Sequence, residues 1–112
     1  MAIQYRQGPG GSHSALNITA TTLITASQGW VFRVAVITAP TAAGGVYDSV
    51  TTAGAAAANQ MAAIPIAVSN EGIIDLGGAP FFNGLVINPG TGGVVAVYYE
   101  PNYATPPLNI TN

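Results

Sequence analysis

The amino-acid sequence predicts a mainly β domain: a small β-sandwich or jelly-roll with one short alanine-rich helix and extended terminal arms. Three observations predict it. Apolar residues recur at every second position over short segments, as in a strand with one buried face. Clusters of Gly, Pro, Asn and Thr separate those segments and set turns. Six or seven such strands fit a chain of 112 residues, the size of one small domain.

The elements follow in order. Residues 1–13 read as an N-terminal arm, because Gly8-Pro9-Gly10-Gly11-Ser12 is loop chemistry and Ile3 and Tyr5 alternate with polar neighbours. The sandwich proper is expected over residues 14–100. Leu16, Ile18 and Ala20 share a period of two, and Leu23-Ile24 breaks it, so a bend or bulge is expected near Thr21-Thr22. Trp30 to Thr38 is the clearest strand, opened by Gln28-Gly29 and closed by Pro40. Strict alternation places Trp30, Phe32, Val34 and Val36 on one face and Val31, Arg33, Ala35 and Ile37 on the other.

Val46 to Val50 reads as a short strand. The run Ala55 to Ile64 is the one helix candidate, since alanine is the best helix former and Pro65 would stop it. Ile73 to Leu76 and Phe81 to Ile87 are further strands, the latter interrupted at Asn83-Gly84. Asn88-Pro89-Gly90-Thr91-Gly92-Gly93 is a strong turn, and Leu85 to Tyr99 is expected to close as a β-hairpin around it. Residues 101–112 contain Pro106-Pro107, which cannot continue a sheet interior, and read as a C-terminal arm. The apolar side chains of the arms, Ile3, Tyr5, Tyr103, Leu108 and Ile110, are the candidate contacts to another subunit or to a larger body.

Charge is the unusual quantity. Asp, Glu, Lys and Arg make up 5% of the chain, against about 25% in an ordinary soluble domain. Such a surface lacks the usual means of keeping a monomer apart from its copies and suits a protein packed into an assembly. The two cations, Arg6 and Arg33, do not make the basic footprint that nucleic acid or an anionic membrane requires. There is no run of roughly 18 apolar residues to span a bilayer. Met1 to Arg6 lacks the basic-then-apolar order of a signal peptide. Cysteine is absent, so disulfides and thiolate chemistry are too.

Candidate chemistry is sparse, and the expectation is a non-enzyme with no cofactor and no metal. His13 is the single histidine and sits in a Gly/Ser loop; Ser12 and Ser14 flank it, but adjacent side chains of an extended chain point to opposite faces, so a solvated loop residue is expected and not a catalytic base. Asp48, Glu71, Asp75 and Glu100 are the only carboxylates. Their places at strand ends favour turn caps over a glycosidase pair, and no cluster matches a calcium or zinc pattern. Gly90-Thr91-Gly92-Gly93 is followed by a Val-rich strand, not the helix that a phosphate-binding loop needs. Asn17-Ile18-Thr19 and Asn109-Ile110-Thr111 match the glycosylation pattern as chance products of a Thr- and Asn-rich chain. Trp30, Tyr98, Tyr99 and Tyr103 are candidates for a sugar-stacking platform, but aromatic residues at alternating strand positions more often serve a core or a subunit interface.

Three stretches together carry a family resemblance: Trp30-Val31-Phe32-Arg33-Val34 leading to Thr41-Ala42-Ala43-Gly44-Gly45-Val46-Tyr47-Asp48, the alanine-rich Ala55 to Pro65, and Gly84-Leu85-Val86-Ile87-Asn88-Pro89-Gly90-Thr91-Gly92 with its Val-rich return. In this order, across residues 23–99, the chain resembles small virion proteins of tailed bacteriophages. Within that class it looks most like a capsid decoration (cement) protein. The resemblance implies a homotrimer on the outer head surface that bridges neighbouring major capsid proteins, with the virion as its location. The alternative is a receptor- or glycan-binding module of a phage fibre, spike or tail, which an exposed aromatic or polar pocket would favour.

Overall fold

The computed structural model describes residues 13–66 and 72–102. They form eight strands, β1 (His13–Ile18), β2 (Thr22–Thr25), β3 (Gly29–Thr38), β4 (Gly44–Tyr47), β5 (Gln60–Ile64), β6 (Ile73–Phe81), β7 (Leu85–Asn88) and β8 (Val94–Pro101), with 3₁₀ turns at Thr52–Gly54 and Ala57–Asn59. The strands pair antiparallel into two four-stranded sheets, ordered β1-β8-β3-β6 and β2-β7-β4-β5. Every step along the chain except β4 to β5 leads from one sheet to the other. This is the strand order of an eight-stranded jelly-roll, as the fold class expected.

The core lies between the sheets. The first contributes Ile18, Val31, Val34, Phe81, Val95 and Val97, and the second Val46, Ile64, Leu85 and Ile87. Val, Ile and Phe dominate because branched and aromatic side chains suit a pleated, half-buried surface. Burying each of the larger ones contributes about 1.5–3 kcal/mol.

Four local expectations need correction. The segment from Ala55 to Ile64 is not an α-helix but a 3₁₀ turn followed by strand β5. Two or three isolated turns fall short of the length at which helices outrun their nucleation cost. As a strand, the same residues gain a ladder to β4, with Gly44 opposite Ile64 and Val46 opposite Ala62, and bury Ile64 completely. The stretch Leu85 to Tyr99 is not a hairpin. β7 pairs with β2 and β4, whereas β8 pairs with β1 and β3. The turn between them is a corner from one sheet to the other, closed by Thr91 N–H to Ala42 O (3.1 Å) and Thr41 N–H to Thr91 O (2.8 Å).

The remaining corrections concern faces, and both arise from bulges. Asn17 adopts a left-handed conformation (φ 57°), so β1 spends three steps from Ala15 to Ile18 where β8 spends two. Ile18 is therefore buried, while Leu16 stays 65% exposed. In β3, Phe32 is an extra residue against β8 and faces the three-residue excursion Leu76-Gly77-Gly78 of β6. Gly77 and Gly78 both have positive φ (63° and 83°). The bulge resets the alternation, so Val31 and Val34 both point inward and Trp30 and Arg33 outward.

The two outer faces differ. On the second sheet, Leu23, Val86 and Tyr47 lie side by side in register, and Val86 is fully buried. The outer face of the first sheet is more open, with Leu16, Trp30, Ile37 and Ile73 all substantially exposed.

Candidate functional site

The outer face of the β1-β8-β3-β6 sheet can be read row by row. One row carries Ala96, Ala35 and Ile73, with Leu16 and Ile37 beside it. The next runs Ser14, Tyr98, Arg33, Asp75 across all four strands. The third is Glu100, Trp30, Pro80. In the middle row the Arg33 guanidinium lies over the Tyr98 ring, 5.8 Å from its centroid, a cation–π geometry. The neighbours of Arg33 are thus Tyr98 and Asp75 on its own sheet. Asp48 lies elsewhere, at the turn after β6.

Where the third row ends, the surface dips into a shallow cleft of about 70 Å³ lined by Gln28, Trp30, Pro80, Phe82 and Asn102, with Gly29 and Phe81 completing it. Its construction follows from the chain. Gly29 is buried where a Cβ would stand 2.3 Å from Glu100 O and 2.9 Å from the Phe81 ring, so only glycine permits this approach. Phe81 is fully buried beneath it, and the next residue, Phe82, turns outward and is 69% exposed. Asp48 holds that turn. Its Oδ2 accepts the Phe82 N–H (2.9 Å), and its Oδ1 accepts those of Asn83 (2.8 Å) and Gly84 (3.3 Å). On the opposite side, Asn102 N–H donates to Gln28 O at 2.8 Å. Both walls are therefore tied by hydrogen bonds that leave the Trp30, Phe82, Gln28 and Asn102 side chains facing solvent.

The other sequence candidates fall as follows. His13 begins β1 with its ring 5.5 Å from that of Tyr99, and Tyr99 packs partly against the core. The four aromatic residues considered as a platform are not brought together: Tyr98 stacks with Arg33, Tyr99 packs inward, and Tyr103 lies outside the described residues. Trp30 instead meets Pro80 and Phe82. Asp48 and Asp75 both serve turns, the latter accepting Gly77 N–H at 3.0 Å. Glu71 lies outside the described residues, as do the arm residues Ile3, Tyr5, Tyr103, Leu108 and Ile110. Gly90-Thr91-Gly92-Gly93 forms the sheet-to-sheet corner. Among the described residues no group of three or more His, Cys, Asp or Glu is placed to hold a metal ion, and no helix is long and apolar enough to cross a membrane.

Phe82 and Asn102 are the cleft residues that sequence reading missed. The cleft joins positions 28–30, 80–82 and 102, and the only local hint is that Phe81-Phe82 precedes an Asn-Gly turn, so that one of the two rings must leave the core. Comparison with known proteins adds no relative: no family model, no curated protein and no solved structure matches the chain.

Proposed function

We propose that this chain is a structural protein of a bacteriophage particle, a capsid decoration protein that seats on the outer head surface and strengthens contacts between major capsid proteins. The observation that carries the reading is the open outer face of the β1-β8-β3-β6 sheet. Leu16 (65%), Ile37 (67%) and Ile73 (50%) are exposed on it next to small Ala35 and Ala96. Contiguous exposed apolar surface marks an interaction site in a folded protein. The charges of this face, Arg33, Asp75 and Glu100, lie in the neighbouring rows, so the apolar row itself packs against another surface without large desolvation costs.

The phage assignment draws on the resemblance of residues 23–99 to tailed-phage virion proteins. The jelly-roll order is compatible with it, since capsid domains use this architecture, but so do lectins and cupins. In the mechanism proposed, a homotrimer offers three equivalent faces to neighbouring capsid subunits, and linked weak contacts gain through effective concentration.

Electron cryomicroscopy of intact particles tests the location, and density on the head lattice is the expected result. Heads lacking the protein are expected to release DNA at lower temperature than complete heads. Equal heat resistance of the two would rule out cementing, and density on the tail would rule out decoration.

A further inference from the structure

We propose that the Trp30–Phe82 cleft is a binding site for a single neutral sugar residue. This goes beyond the decoration role and does not depend on it. The surface of the cleft is of two kinds. Trp30 (39% exposed) and Phe82 (69% exposed) offer aromatic surface, with Pro80 between the strands. Gln28 and Asn102 offer side-chain amides that make no hydrogen bond within the described residues. A pyranose has the same two kinds of surface, with C–H faces that stack on rings and hydroxyls that both donate to and accept from amides.

Charge narrows the ligand class. Among the described residues no charged side chain lines the cleft. Glu100, the cross-strand neighbour of Trp30 on β8, does not line the cleft, although Asn102 two residues further on does. A phosphorylated or carboxylated ligand would find no counter-charge, so a neutral hexose, deoxyhexose or N-acetylhexosamine fits better. Size narrows it further. The cleft encloses about 70 Å³, far below the range of about 300–1,000 Å³ usual for enclosing small-molecule pockets, so a ligand would rest on it by one face and not be engulfed. It would cradle one exposed residue of a glycan. A proline-rich peptide also stacks on aromatic surfaces, but its extended helix needs a groove several residues long.

The site is also held in shape before any ligand arrives. Phe81, locked under Gly29, anchors one wall, Asp48 fixes the Phe82 turn, and the Asn102–Gln28 backbone bond fixes the other wall. Such preorganisation reduces the ordering cost of binding.

The chain supplies its own probe, because Trp30 is its sole tryptophan. The full chain is titrated with glucose, galactose, rhamnose, N-acetylglucosamine and N-acetylgalactosamine and with short oligomers of each, following tryptophan fluorescence. Protein alone over a concentration series and a synthetic peptide of residues 103–112 are run beside them. The expected result is a saturable change with at least one sugar, with a dissociation constant on the order of 1 mM for a monosaccharide. Phe82→Ala is expected to weaken it about tenfold, and Asn102→Ala severalfold, with unchanged melting temperatures. No saturable response to any sugar overturns the proposal. So does a response unaltered in both variants. A response confined to the peptide, or to protein concentration alone, overturns it in favour of another copy of this chain. Virion location plays no part in this readout, so failure of the sugar site and failure of the decoration reading are told apart.

Discussion

Replacing Asp48 with alanine removes one side chain and leaves three backbone N–H groups, those of Phe82, Asn83 and Gly84, without their acceptor. Two of the bonds are short, at 2.9 and 2.8 Å, and the third is longer, at 3.3 Å. A hydrogen bond to a charged group contributes about 1.5–3 kcal/mol net. Asp48 is half-buried and the Phe82 and Asn83 bonds are exposed, so water replaces part of what is lost. Two effective bonds at the low end and a weak third give about 2–4 kcal/mol for Asp48→Ala. That is a large part of the about 5–15 kcal/mol that stabilises an ordinary domain. At about 4 °C per kcal/mol for a chain of this size, the melting temperature falls by about 8–16 °C. Asp48→Asn retains one acceptor oxygen but not the charge, so it should cost about half as much. Thermal melts followed by circular dichroism, with urea titrations followed by Trp30 fluorescence, measure both variants. A loss under about 0.5 kcal/mol for alanine, the range of ordinary surface changes, would refute the reasoning. Asparagine as costly as alanine would show that the charge, and not the number of acceptors, holds the turn.

Further substitutions probe other parts of the fold. Gly90→Ala places a Cβ 2.3 Å from Ala42 O at a φ of 87°, and should destabilise strongly or prevent folding, whereas Gly77→Ala (φ 63°, open space around it) should cost only about 1–2 kcal/mol in the same urea titration. Phe81→Ala empties a fully buried site and should cost about 3–5 kcal/mol by the same measurement. Ile37→Asp with Ile73→Asp alters only exposed positions, so the purified protein should melt near its normal temperature, whereas the proposed decoration role requires that its retention on phage heads, measured by co-sedimentation, be lost.

The fold was legible in the sequence where the signal is local. β3 is bounded by Gln28-Gly29 and Pro40, and its run of Val, Phe and Ile leaves no competing assignment. β8 is equally plain. What failed depended on partners far along the chain. Alternation within β3 misplaced Val31 because the bulge at Phe32 is matched by Gly77-Gly78, more than forty residues on. The Asn88 to Gly93 turn looks like a hairpin turn, and only the pairing of β7 with β4 and of β8 with β3 makes it a corner. The alanine-rich segment followed its ladder to β4 against its intrinsic preference, which amounts to tenths of a kcal/mol per residue. The cleft was illegible for the same reason, since Asp48, Trp30, Phe82 and Asn102 meet only after both sheets close.

The pairing of the first strand with the last has a consequence for biosynthesis. β1 leaves the ribosome before every other strand described, yet its one neighbour among the described strands, β8, emerges last of them. β3 can pair with β6 earlier, but its other edge also waits for β8. The nascent chain therefore cannot complete its first sheet until about residue 100 is free of the exit tunnel, and its contacts are dominated by pairings distant in sequence. Such topologies fold in milliseconds to seconds, slowly for their size. During that interval apolar strands with almost no charged residues between them are exposed to other nascent copies. The scarcity of charge thus makes synthesis the stage most vulnerable to aggregation, and cooler, slower expression should raise the soluble yield.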